Sequence, residues 1–301
     1  RFYTVPFNNR GTVNVNAGTL QLNAGGTNSA TGVFNTASGA TTLFSNSYGI
    51  VDGSALTGLG TYQVSGGVFT ISGNVSVVGF LQTGGTFAGT QTFTSGSTLT
   101  WNSGIWNDSS ATTLAAGSTL TIATGTDHDF SARAIVNNGI VNWTGGRLRS
   151  GNGGTVTNNA TWNDSVSSDF NNDYGGAGGT TFINAAAGTY QKISGITTFS
   201  VPFNNTGAIA ATNGSLLLRA GGTFGGGSTA TASGAGVAEL DGGVLTVNGS
   251  VIWNNFNLNG GELAGTQTFA GSAFSWFTGD WNTGGTTTRA CGSTLTITGA
   301  D

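Results

Sequence analysis

Almost the same eight residues occur twice in this chain, AAGSTLTI at Ala115 to Ile122 and ACGSTLTI at Ala290 to Ile297. Their flanks return with them. VPFNN occurs at Val5 and Val201, an offset of 196. AGTQTF occurs at Ala88 and Ala264, an offset of 176, and GSTLTI at Gly117 and Gly292, an offset of 175. The second copy is therefore about twenty residues shorter between its first two markers, the size of a smaller unit nested inside the large one. Gly96, Gly117, Gly139 and Ala160 mark that unit; each precedes a short β-rich word, at spacings of 21, 22 and 21. A period near 21, built from glycine, a strand of alternating apolar residues and an SGG, TGG or NN turn, describes a solenoid coil stacked on its neighbours. The shortfall in the second copy is one deleted coil, and losing a whole coil preserves the inward face of every later strand.

The apolar words alternate at period two, as in GTVNV at Gly11, GTLQL at Gly18 and TYQV at Thr61, and no stretch has helical periodicity. Four-residue strands separated by turns of two to six residues cannot build long hairpins. They suit coils of two or three strands that pair in parallel with the next coil. The expected fold is all-β: a right-handed parallel β-helix, a single-stranded β-solenoid with about 21 residues per coil, continuous over residues 1–301 and about 65 Å long at ~4.8 Å per coil. The large unit spans 1–127 and returns at about 197–301. Leu120 and Ile122, with their counterparts Leu295 and Ile297, are expected in the core. Paired asparagines, Asn8 and Asn9, Asn137 and Asn138, Asn158 and Asn159, Asn204 and Asn205, precede small residues that open strands. Asparagine tolerates the left-handed turn conformation, and stacked amides can bond from coil to coil, so these pairs are expected to form corner ladders.

Only 7% of the residues are charged and the formal net charge is −4. That excludes the concentrated basic surface that nucleic acid or an anionic membrane requires. Arg147 and Arg149 are too few for a phosphate track. Fifty-four glycines with so little charge would suggest disorder, were 37% of the chain not hydrophobic. A single cysteine, Cys291, excludes an internal disulfide and a cysteine-based zinc site; it stands where Ala116 stands in the matching unit and is expected to be a small buried residue. The sequence lacks methionine and carries no membrane span or signal peptide, so it reads as a piece of a longer, exported polypeptide.

VPFNNTGAIAATNGSLLL at 201–218, GGVLTVNG at 242–249, GGELAGTQTF at 260–269 and GSTLTI at 292–297 resemble the glycine-, threonine- and asparagine-rich strand repeats of very large bacterial surface proteins, the autotransporter-like and adhesin-like β-solenoids. The resemblance implies a secreted or cell-surface fibre, stalk or adhesin, able to self-associate and to meet surface glycans, with no catalytic motif and no membrane insertion in this segment.

Four local features compete with a purely structural role. Asp127, His128 and Asp129, with Arg133, would suit acid–base chemistry, although alternation on a strand puts His128 opposite the two carboxylates; the segment reads as a solvated loop. Asp164, Asp169 and Asp173, near Asn163, Asn171 and Asn172, offer oxygen ligands for calcium, the one cofactor to consider. Trp101, Trp106, Trp143 and Trp162 could stack on sugars, yet their recurrence near period 21 favours a core column. Threonine alternation could make an ice-binding face, but IVNW, AIAA and LLLR interrupt it. Acidic residues such as Asp52, Asp108, Glu239, Asp241, Glu262 and Asp280 are spread thinly, which disfavours a polysaccharide lyase or hydrolase.

Overall fold

The computed structural model describes residues 2–176, 178–271, 273–281 and 285–299. The chain forms a parallel β-solenoid of about 14 turns with about 21 residues between successive bridges, and the described residues contain strands and no helix. Each turn is three-sided. Face A begins with Phe7–Asn9, face B with Thr12–Val15 and face C with Thr19–Leu22, and each of these three pairs in parallel with the strand one turn later.

The pairing shows why one period serves the whole chain. On face C, Thr119 lies against Ile140, Ile140 against Thr161 and Thr161 against Thr189, all in register. The first two steps span 21 residues; the third spans 28 because residues 172–180 add a loop at a corner without shifting a strand. Face A is continuous from Phe7–Asn9 to Thr294–Ile297. Face B is interrupted once: Ala55–Thr57 pairs only with Val33–Thr36, and the file resumes at Gly73–Val75 against Gln91–Phe93. The gap opens a groove of about 290 Å³ lined by Leu56, Val77 and Val78 among others.

The two large copies do not occupy the same faces. Phe7–Asn9 is on face A and Phe203–Asn205 on face B; Thr119–Ile122 is on face C and Thr294–Ile297 on face A. The second copy is turned one face forward and uses one coil fewer between these markers. This works because all three faces ask the same thing of a strand: alternate residues inward and a small residue at the corner.

Inward positions form one continuous core of Phe, Leu, Val, Ile, Tyr and Trp. Each fully buried large apolar side chain contributes about 1.5–3 kcal/mol relative to exposure. Trp101 stacks on Trp106 with centroids 4.3 Å apart. The indole N–H of Trp101 donates to the Gly104 carbonyl (3.1 Å), Trp143 to Gly146 (3.0 Å) and Trp276 to Gly279 (3.1 Å), so a Trp-x-x-Gly word satisfies its own polar atom at a corner. Two glycines are required by contact as well as conformation. Gly26 and Gly222 both have φ near +140°, and a Cβ would lie 2.1 Å from the carbonyl oxygen of Phe7 and Phe203, respectively.

Candidate functional site

The polar side chains of residues 108–192 concentrate what chemistry the chain has, and the structure corrects their reading as a solvated loop. His128–Ser131 is a strand of face A, and His128 and Arg133 are fully buried. Nε2 of His128 lies 2.9 Å from the Trp101 carbonyl oxygen and 3.0 Å from that of Ala123. Two acceptors assign the proton to Nε2, leaving Nδ1 bare and without a hydrogen-bond partner. Burial pulls this histidine below its ordinary 6.5, against the opposing pull of those carbonyls. A neutral imidazole sealed beside Trp101 does not exchange protons with a substrate at the surface.

The neighbouring aspartates point outward, where parallel register stacks them under arginines. Asp129 pairs with Arg149 one turn up, and Arg149 with Asn171 in the turn after. Arg147 donates from Nε and Nη2 to both oxygens of Asp127 (2.9 Å each); Arg149 donates to both oxygens of Asp129 (2.7 and 2.8 Å). Arg149 also lies 3.3 Å from Asp127, and Arg147 4.0 Å from Asp169. The Tyr174 ring covers the Arg149 guanidinium at 5.9 Å. The result is a three-layer ladder of negative, positive and negative charge. Asp127 is held below the usual carboxylate range, first by its hydrogen bonds from Arg147. With both carboxylates clasped, neither is available as a general base in this arrangement.

The three calcium candidates do not converge. Asp169 and Asp173 face outward with their Oδ2 atoms bridged by the Asn171 amide, at 2.5 and 2.8 Å. Asp164 belongs to face C and is fully buried. Alternation separates them: in TWND, Trp162 and Asp164 both point inward. Among the described residues no three of His, Cys, Asp or Glu group as metal ligands.

Asp164 instead forms a buried ion pair with Lys192, the only lysine in the chain. Lys192 Nζ donates to Asp164 Oδ1 (2.9 Å), the Val166 carbonyl (2.7 Å) and Thr197 Oγ1 (2.6 Å), while the Tyr190 hydroxyl donates to Asp164 Oδ2. Burial lowers the lysine, and Asp164 opposes that shift. A second clamp holds Arg133: Nη1 donates to Asp108, Nε to Thr112 Oγ1 (2.9 Å) and Nη2 to the Gly89 carbonyl (2.7 Å), beneath the Phe87 and Trp106 rings. The sequence reading missed Lys192, Tyr190 and Asp108. TYQK carried a signal for the first two, because its alternation puts Tyr190 and Lys192 on the same inward side.

The asparagine pairs divide by the same alternation. Their inward members Asn137, Asn158 and Asn205 join Asn184, which belongs to no pair, in a buried ladder in which Asn137 donates to Asn158 (2.7 Å), Asn158 to Asn184 (2.8 Å) and Asn184 to Asn205 (2.8 Å). Asn9 donates likewise to Asn28 (2.8 Å). Outside the core, Asn159 donates to Asn138 (2.9 Å). Asn8 and Asn204 depart from the corner-ladder expectation: both are outward strand residues, Asn8 exposed and Asn204 accepting from the Thr223 backbone and hydroxyl.

Leu120 and Ile122 are buried, whereas Leu295 is partly buried against the core and Ile297 is 63% exposed. The last two lie in the final described coil. Cys291 is exposed rather than buried, as Ala116 is, because this position lies on the outside of a corner. Trp101, Trp106, Trp143, Trp162 and Trp253 are all buried, so these five offer no stacking platform to a sugar.

These features define a parallel β-solenoid whose unusual polar groups are turned into the core or locked against each other. No protein-family model matches the chain, and no curated protein and no solved structure matches it either. No helix among the described residues is long and apolar enough to cross a membrane.

Proposed function

We propose that the chain is a rigid, non-catalytic segment of a bacterial extracellular fibre, stalk or adhesin. The observation that carries this reading is the uninterrupted parallel ladder of face A, from Phe7–Asn9 to Thr294–Ile297. Its backbone hydrogen bonds run along the solenoid axis, so an axial load passes in series through the ladder of every turn. Buried ion pairs and asparagine ladders support the role, since they tie the coils that carry them to particular neighbours and penalise slippage there. The near-absence of sulfur suits an oxidising exterior.

Negative-stain electron microscopy combined with axial single-molecule pulling tests the reading. The expected particles are straight rods about 65 Å long that resist extension until coils peel from an end. Compact particles, or turnover of pectin, alginate or chitin by the purified chain, would remove the mechanical assignment.

A further inference from the structure

Over most of the rod exposed charge keeps to one side, and charge reaches face B only at Glu262 and Asp280 and face C only at Arg289, near the last turns. Between Thr19 and Asn254 every charged side chain that is not buried lies on face A or on the two corners beside it. Arg133, Asp164 and Lys192 are charged and buried. Over that span faces B and C present no charged side chain to solvent among the described residues, since Asp164 and Lys192 of face C point into the core. Even a chain poor in charge would scatter its few ions over three equivalent faces unless two of them had another use.

Face C is the more continuous of the two. Its twelve strands form one unbroken file from Thr19–Leu22 to residues 252–254, whereas face B is split by the groove above Leu56. The outward rank is mostly threonine, including Thr41, Thr98, Thr119, Thr161, Thr189 and Thr229. The second rank continues with neutral residues such as Gln63, Thr121, Asn163 and Gln191. The ranks are irregular: Ile140 and Ala208 stand among the threonines, as does Ile252, and Ile140 and Ile252 are 40% and 47% exposed. IVNW and AIAA therefore do interrupt this face, while LLLR begins on face A.

We infer that face C is a lateral docking surface for a second copy of this chain, side by side along the rod; the inference rests on the structural reading above and names its partner. Irregular ranks do not template onto a periodic solid such as ice or a crystalline polysaccharide, but they pack against another protein surface. Pairing through the strands of face C between Thr19 and Asn254 covers no outward charged strand residue, whereas pairing through face A would desolvate the Asp127–Arg147–Asp169 ladder. Twelve strands at ~4.8 Å by about four residues at ~3.3 Å give roughly 700 Å² per copy, close to the ~800 Å² per partner of a stable interface. Side chains of two such sheets interdigitate as in a β-sandwich.

Sedimentation velocity of the 301-residue chain tests the pairing. The native chain is expected to sediment as a dimer or larger lateral assembly. The double variant Thr119→Lys/Thr161→Lys on face C should weaken association about tenfold or more by burying unpaired charge, while Thr113→Lys/Thr157→Lys on face B should leave it unchanged. Circular dichroism and melting must show both variants folded; should the face C pair unfold, the single variant Thr121→Lys replaces it with the same expectation. A native chain that stays monomeric at its solubility limit overturns the inference, as does equal weakening by both variants. So does a monomer that uses face C to bind ice or a crystalline glycan. Electron microscopy of a monomeric sample separates the two readings: single dispersed rods leave the structural role standing and remove only the pairing, and an absence of rods removes both.

Discussion

Replacing Lys192 with methionine is expected to destabilise the fold by about 3–5 kcal/mol, the cost of stranding one member of a buried ion pair. Asp164 would keep two donors, the Tyr190 hydroxyl and the Val166 backbone N–H at 3.0 Å, but would lose the ammonium 2.9 Å away at a fully buried position. The Val166 carbonyl and Thr197 hydroxyl would each lose the same donor. Removing the charge from both partners should restore most of the loss: Asp164→Asn/Lys192→Met leaves only neutral hydrogen bonds unmade, at about 1–2 kcal/mol. The coupling between the two sites is then about 2 kcal/mol or more, large enough for a double-mutant cycle to resolve. Urea unfolding followed by circular dichroism, with the denaturant slope checked for equality across variants, measures it. If Lys192→Met costs less than about 1 kcal/mol, or the two effects simply add, the pair is not the desolvated clamp described above and its role in fixing coil register fails with it.

The single histidine makes acid stability attributable. Because burial lowers the folded value of His128 below 6.5, its contribution is complete above that pH and is lost as pH falls through the folded value. The free energy of unfolding should therefore decline as pH falls below about 6.5, with a slope of at most ~1.4 kcal/mol per unit, and His128→Gln should flatten the decline. Asn158→Ala removes a side chain that both donates to and accepts from its ladder neighbours; a loss of about 2–4 kcal/mol is expected, read from the urea midpoint, and a change below 0.5 kcal/mol would be inconsistent with a working ladder. Gly222→Ala adds a Cβ against the Phe203 carbonyl at a φ that L-residues avoid. It should cost about 2–4 kcal/mol, whereas Gly227→Ala, at a positive φ with open space around its Cβ, should cost visibly less by the same urea midpoint.

Period and polarity pattern are local properties, and they carried the fold. Glycine every twenty-odd residues, four-residue alternating words and the repetition of GSTLTI dictate strands too short for hairpins, and stacking is the one arrangement that buries their apolar sides. The same alternation explains why Leu120, Ile122 and five of the tryptophans lie inside, and it places Tyr190 and Lys192 on the inward side of their strand as well. What the sequence could not supply is which coils become neighbours across corners of unequal length. Pairing Asp127 with Arg147, burying Asp164 against Lys192 and separating it from Asp169 all depend on the three-sided cross-section, which sets the residues one turn apart in contact and sends adjacent residues to opposite sides of the wall. The turn of the second copy by one face has the same origin. A strand's own residues determine that it faces inward, while only the accumulated path of the coils before it determines which side of the rod it occupies.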